Sequence, residues 1–159
     1  MTTVHVPSTR RGLQPYVVAA LVDHGHSCHV QVVESDWDYC AFLVRWLAEP
    51  GRVAIVEHDV EIIDDVVGDM LRCNQPWCCT PYPHNPVHGT GPGSEDLLGC
   101  TVLDTSYPAV TYVAGYLEGH PVPWTRLDVT VAKALRNQGI RPHRHRGLIL
   151  HHHGWHVAE

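Results

Sequence analysis

Along the chain, short β-branched runs alternate with stretches in which apolar residues recur at helical spacing. Thr3-Val4-His5-Val6-Pro7 reads as a first strand, closed by a loop through Pro7, Ser8, Thr9, Arg10, Arg11 and Gly12. Residues 15–24 carry Val17, Val18, Leu21 and Val22 in an i, i+1, i+4, i+5 pattern that suits a helix, with Gly25 as its stop. His29-Val30-Gln31-Val32-Val33 is β-branched and predicts a second strand. Glu34-Ser35-Asp36 follows as a polar loop able to cap the next helix, which Phe42, Leu43, Trp46 and Leu47 predict over 39–47. Pro50-Gly51 breaks that helix. Arg52-Val53-Ala54-Ile55-Val56 is then almost continuously apolar, as a buried parallel strand is. It runs straight into Glu57-His58-Asp59. Residues 62–73 predict a third helix, with Asp64 and Asp65 in its first turn, where the helix dipole favours acids.

From 74 to 99 the pattern gives way to Pro, Gly and His. Within it Trp77-Cys78-Cys79-Thr80 predicts a short strand, and residues 80–97 predict a flexible loop. Loops of this length inside compact domains serve as lids or binding loops. Residues 98–103 predict a strand. Residues 124–137 predict a helix, because Leu127, Val131 and Leu135 recur every fourth position and Gly139 stops it. Leu148-Ile149-Leu150 predicts a last short strand. Strand and helix alternating three times is the rhythm of a parallel sheet. The expected fold is α/β: a single domain over 1–159, with a mostly parallel sheet flanked by helices, and 80–97 as an insertion within it.

Composition narrows the function classes. At 159 residues the chain has the length of one domain and can bury a proper core. A formal net charge of −6 argues against a general nucleic-acid binder, though it leaves room for a phosphate ligand bridged by a metal. No apolar run approaches the ~20 residues of a membrane span, and the first residues lack a signal peptide's apolar core, so a cytoplasmic protein is expected. The six cysteines are then expected to be reduced, buried, small hydrophobes. Cys73-x4-Cys78-Cys79 lacks the two paired CxxC units of the usual zinc spacing, and a structural zinc site stays open as the competing reading. The 14 histidines are the unusual feature, five of them between His143 and His153.

Four constellations carry candidate chemistry. Glu57 and Asp59 close a buried strand, at the edge where open α/β sheets bind ligands. Strand alternation lets the two face the same way, and oxygen ligands suit Mn2+ or Mg2+. The competing reading is a solvated acidic loop that caps the following helix. His143, His145, His151 and His153 follow apparent strand ends and can complete a metal site or touch a phosphate; the competing reading is surface polarity. Trp124 and Asp128 lie one helical turn apart and share a face, so Asp128 can serve as a general base towards an acceptor hydroxyl. Pro7, Ser8, Thr9 and Arg10 after the first strand can hold phosphate, and Glu34 after the second can contact a base or ribose. There is no GxGxxG, P-loop or GxSxG motif, which argues against a Rossmann dinucleotide enzyme, a P-loop NTPase and an α/β-hydrolase.

Taken together these residues resemble the GT-A glycosyltransferases, whose strand-ending acidic motif looks like Glu57-His58-Asp59. The stretch from Ala54 to Val60 is also similar to the LEDDV segment of some sugar transferases of lipooligosaccharide synthesis. The wider layout resembles small glycosyltransferase-like proteins of actinobacteria and their phages. It shares with them Val4-His5-Val6-Pro7-Ser8, Glu57-His58-Asp59-Val60, Pro76-Trp77-Cys78, His88-Gly89-Thr90-Gly91, Leu98-Gly99-Cys100, the Trp124 to Asp128 helix and Pro142-His143-Arg144-His145. The resemblance implies a minimal GT-A-like fold and a metal-dependent transfer of sugar from a nucleotide-sugar donor. It also implies Mn2+ or Mg2+ on Glu57 and Asp59 with His151 or His153 assisting, a nucleotide pocket shaped by Pro7 to Arg10, Glu34 and His58, and Asp128 as base. The chain departs from a strict DxD at Glu57 and is short for such a domain. Two rivals stay open: a zinc-dependent hydrolase or nuclease using the histidine cluster, and a non-catalytic nucleotide-sugar or metal binder.

Overall fold

The computed structural model describes residues 3–9, 15–80, 98–147 and 149–151, with backbone alone at 150 and 151. Eight strands and five helices follow one another among these residues: β1 (Thr3–Thr9), α1 (Pro15–Asp23), β2 (Ser27–Val33), α2 (Asp38–Ala48), β3 (Arg52–Val56), β4 (Val60–Ile62), α3 (Val66–Arg72), β5 (Trp77–Cys79), β6 (Cys100–Asp104), α4 (Pro108–Gly119), α5 (Trp124–Asn137), β7 (His143–Arg144) and β8 (Ile149–His151). Six strands form one sheet in the order β2-β1-β3-β6-β5-β7, and β4 pairs with β8 in a second. β1 runs parallel to β2 and β3, and β7 parallel to β5; β6 is antiparallel to both its neighbours. The fold is the expected single-domain α/β architecture, a mostly parallel mixed sheet flanked by helices.

Alternation along each strand divides the core in two. On one face Val53, Ile55, Trp77 and Leu103 pack against Leu43 and Leu47 of α2, Val113 and Leu117 of α4, and Leu127 and Val131 of α5. On the other, Val4, Val6, Ala54, Val56, Cys78 and Val102 meet Val17 and Leu21 of α1, and Val66, Val67 and Met70 of α3. β3 is buried on both faces, which is why its sequence is continuously apolar rather than alternating.

Several local expectations are corrected. The third helix begins at Val66, not 62: Val60–Ile62 is a strand, and Asp65 is the N-cap, its carboxylate accepting from the Gly68 N–H at 2.9 Å. The acids therefore precede the helix instead of occupying its first turn. The loop before α2 does not cap it with a side chain. Asp38, within α2, instead accepts from the Glu34 and Ser35 N–H groups, each at 2.8 Å. α4 had no predicted counterpart, although Pro108 at its start and Val110, Val113, Ala114 and Leu117 have helical spacing. β7 was likewise unpredicted. Arg10, His153 and the 81–97 part of the expected loop lie outside the described residues.

Candidate functional site

Because β1, β2 and β3 run parallel, their carboxyl ends share one edge of the sheet. That edge brings together Pro7, Ser8 and Thr9 at the end of β1, Glu34 just past β2, and Glu57, His58 and Asp59 just past β3. Ser8 is buried and its Oγ donates to the Thr9 carbonyl at 2.9 Å, while Thr9 and Glu34 are exposed. The expected alternation of Glu57 and Asp59 does not hold. β3 ends at Val56, and the Val60 N–H donates to the Glu57 carbonyl at 3.0 Å in a turn, so the acids leave the strand through a bend. The Glu57 N–H stays in register, donating to the Gly99 carbonyl at 2.9 Å.

Glu57 is the most deeply placed acid of this edge, 8% exposed. Burial first, then the charges of Asp128 and of Asp59, push its carboxyl well above the ordinary carboxylate range. The Tyr39 hydroxyl and the Trp124 indole N–H offset part of that rise. Oε1 is buried without a hydrogen-bond partner among the described residues. Asp59 also raises the Tyr16 phenol on α1, after burial and ahead of Glu61. Asp59 therefore acts on both Glu57 and α1.

α5 delivers the third acid. Its first N–H, at Trp124, donates to the Asp36 carbonyl at 2.7 Å, which fixes the helix start to the loop between β2 and α2. The Trp124 ring then meets His58 edge-on at 5.7 Å and Tyr39 at 5.1 Å. Asp128 follows one turn later, on the same helix face, beside Glu57. Tyr39 is a member of this site that the sequence reading missed; its one signal was an aromatic residue in the first turn of a helix that begins at the carboxyl edge.

His151 comes to the same neighbourhood by its backbone, paired opposite Val60, next to Asp59. The histidines at 143 and 145 sit elsewhere, beside β5. Two surface clefts, one of about 470 Å³ between α4 and α5 and an apolar one of about 730 Å³ beside Trp37, do not include Glu57, Asp59 or Asp128 in their walls.

The three acids at the carboxyl edge, Glu57, Asp59 and Asp128, offer oxygen ligands, which suit Mn2+ or Mg2+. A buried carboxylate oxygen without a partner, in a nest of like charges, is a position that a cation relieves. Glu57, Asp59 and Asp128 do not bring three ligand atoms within 4.8 Å of one another, so these acids alone do not form a closed cage. Mg2+ and Mn2+ sites of this kind take one or two carboxylates and fill the remaining positions from substrate phosphates and water. The residues present fit such an ion.

No family model matches the chain, and no curated protein does. Solved structures do share its fold. A197 from STIV aligns with a TM-score of 0.60 at 12% identity, over 91% of this chain and 82% of that one. A protein described as a glucose-1-phosphate thymidylyltransferase from Bacillus anthracis, in complex with sucrose, aligns at 0.55 and 12%, over 94% and 89%. A glycosyltransferase involved in glycosylation of the major capsid of PBCV-1 aligns at 0.52 and 10%, over 96% of each chain. The chain thus shares its fold with a protein described as a thymidylyltransferase and with a glycosyltransferase. Among the described residues no helix is long and apolar enough to cross a membrane.

Proposed function

We propose that the protein is a metal-dependent glycosyltransferase, moving a sugar from a nucleotide-sugar donor to an acceptor hydroxyl in the cytoplasm. The observation that carries the reading is Glu57: a carboxylate buried at the end of an interior strand, with Asp59 and Asp128 in electrostatic reach. Water alone would not gather three acids there at such cost to the fold, whereas a ligand that brings positive charge makes the arrangement useful. The fold shared with a glycosyltransferase and a thymidylyltransferase supports the same chemistry.

In this reading Glu57 and Asp59 hold Mn2+ or Mg2+, with His151 or His153 assisting. Once bound, the ion offsets the charge that develops on the leaving nucleoside diphosphate. The backbone from Pro7 to Thr9, with Arg10, receives the phosphates; Glu34 and His58 contact the nucleoside. Asp128 takes the proton of the acceptor hydroxyl, held in place by the first turn of α5.

Thermal unfolding with UDP-, GDP- and dTDP-sugars, with and without Mn2+, tests the reading. A ligand that binds the native state at 100 times its Kd adds about 2.7 kcal/mol. A shift that needs nucleotide and metal together, and is lost in Asp59→Ala, supports it. A shift without turnover of any sugar would make the protein a nucleotide-sugar binder. No shift with any donor would overturn the assignment.

A further inference from the structure

A second set of ligating side chains lies away from the acidic edge, where β5 and β7 border the sheet on the face covered by α3. Cys73 follows the last turn of α3, Cys78 is the fully buried middle residue of β5, and His145 follows β7. One ligand atom from each lies within 4.8 Å of the other two. Among the described residues this is the only trio of His, Cys, Asp or Glu that converges so closely. The sequence hides it, because the two thiols are not a CxxC pair and the imidazole lies far along the chain.

The trio is held by bonds that owe nothing to an ion. The Arg52 guanidinium donates to the Met70 carbonyl at 2.7 Å, to Leu71 at 3.1 Å and to Gln75 at 3.2 Å, fixing the segment that carries Cys73. The His145 N–H donates to the Cys79 carbonyl at 2.8 Å, anchoring the imidazole beside β5. β7 is in register with β5, Cys78 opposite His143, so His143 lies on the same strand face as Cys78. The rings of His143 and His145 are 4.9 Å apart. Finally, Nε2 of His145 is buried with no hydrogen-bond partner among the described residues. A buried imidazole nitrogen left in this way, beside two thiols, has the position of a ligand.

We infer that Cys73, Cys78, His145 and His143 form a structural zinc site that clamps the end of α3 to β5 and β7. Two sulfurs and two imidazole nitrogens are the tetrahedral donor set that zinc prefers and that Mn2+ and Mg2+ do not. With Zn–S of about 2.3 Å, the two sulfurs need to close only by about 1 Å from the upper limit of the observed spacing. Each thiol gives its proton to water on binding, so two thiolates balance the charge of the ion. Four protein ligands, one of them fully buried, leave no open position for a substrate, so the site braces and does not catalyse. What it braces is a strand of two residues and the segment that runs on to β8, where His151 meets Val60. The inference stands independently of the transferase reading.

The test uses the full chain, reduced, stripped with a chelator and titrated with Co2+ and then Zn2+. One equivalent of tetrahedral cobalt is expected, with thiolate-to-metal charge-transfer absorption that Zn2+ displaces. The histidines at 151–153 cannot produce that absorption. Cys73→Ser, His145→Asn and His143→Ala should each lower zinc affinity by more than about 100-fold, beyond what loss of an outer-shell partner causes. Cys28→Ser, a half-buried cysteine elsewhere, should leave affinity unchanged. Cys78 is left alone, because its substitution perturbs the core directly. Absence of thiolate charge transfer in a natively folded protein at saturating Co2+ would overturn the inference. So would wild-type affinity in any of the three ligand variants, or a Cys73–Cys78 disulfide that persists under reductant.

Discussion

The Trp124 N–H donates to the Asp36 carbonyl at 2.7 Å, so α5 starts on the loop that leaves β2, and Asp128 one turn later stands beside Glu57. The position of the candidate base thus depends on a backbone bond at the start of its helix. In Asp128→Asn that bond is kept while the charge is removed. Transfer should fall by roughly 100- to 10,000-fold, the range of general acid–base contributions, with donor affinity within about threefold of the parent. Steady-state kinetics beside donor binding would check it. Equal turnover in the variant would remove Asp128 from the chemistry.

Trp124→Ala tests the same arrangement from the packing side. It removes edge contacts to His58 and Tyr39 while the backbone bond to Asp36 can persist. The ring is only half-buried, so the cost should be about 2 kcal/mol, below the range for a fully enclosed Trp. Urea unfolding reads that number directly. Turnover should drop further than stability alone accounts for, because Glu57 loses the indole N–H that offsets its burial.

Glu57→Gln should make the protein more stable and less able to bind. The folded-state carboxyl is raised above its ordinary 4.5, so the folded chain holds that proton more tightly than the unfolded one. Its contribution is complete below 4.5 and is lost as pH rises through the folded value. At pH 7 the parent carries the cost of keeping an ionisable carboxyl buried beside Asp128 and Asp59, and the variant does not. A gain of about 1 kcal/mol at pH 7 is expected, shrinking towards pH 4.5, together with loss of the metal-dependent nucleotide shift. Equal stability at pH 7 would mean that the Glu57 charge is already offset in the folded chain.

Those elements whose hydrophobic pattern is undiluted were legible in the sequence. β3 was read to its last residue because both its faces are buried, and α5 because Leu127, Val131 and Leu135 mark one stripe before Gly139, at φ +79°, ends it. α4 was obscured: its buried Val110, Val113 and Leu117 share the helix with the exposed Tyr112 and Tyr116 and with Gly115. β4 is too short for alternation to be seen, so Ile62 reads as the start of the helix beyond it. The reversed direction of β6 leaves no mark in its own residues, since strand direction follows from how the chain crosses the sheet. The acidic edge was half legible. Glu57 and Asp59 are neighbours in sequence, but the approach of Asp128 and Tyr39 to Glu57, like that of His145 to Cys73, comes from tertiary packing.

His5 gives a pH dependence of the opposite sign, from inside the fold. Its ring stacks on Trp46 at 4.4 Å, and burial first and His29 second hold its pKa at about 4, below the ordinary 6.5. Between these values the unfolded chain binds the proton that the folded chain refuses. The stabilisation is complete above 6.5 and is lost as pH falls towards 4. The variant His5→Phe keeps an aromatic ring on Trp46 and cannot titrate. The urea midpoint of the parent should fall from pH 7 to pH 5 by more than that of the variant. Parallel losses in the two proteins would show that the His5 imidazole takes up its proton within the fold.

Arg52 stands at the other end of the strand that leads to Glu57, and its removal should act in the reverse sense. The guanidinium pairs with Asp104 at 3.2 Å and satisfies the carbonyls of Met70, Leu71 and Gln75. Both members of the ion pair are largely enclosed, 17% and 15% exposed at the side chain. In Arg52→Met the aliphatic stem remains, but three carbonyls and a carboxylate lose a charged donor. Removing one partner of an enclosed pair costs more than the pair is worth, because the other is left without its counter-charge. A loss of about 3 kcal/mol is expected, or roughly 6–12 °C in Tm for a domain of this size. Donor binding, measured well below the new Tm, should stay within about twofold of the parent, since Arg52 is separated from Glu57 by the length of β3. The two substitutions on one strand then separate the roles of its ends: Glu57→Gln gains stability and loses binding, and Arg52→Met loses stability and keeps binding. If Arg52→Met instead abolished the nucleotide shift in protein that is still folded, the carboxyl edge would depend on the α3 clamp directly, and the division of β3 into a structural end and a binding end would fail.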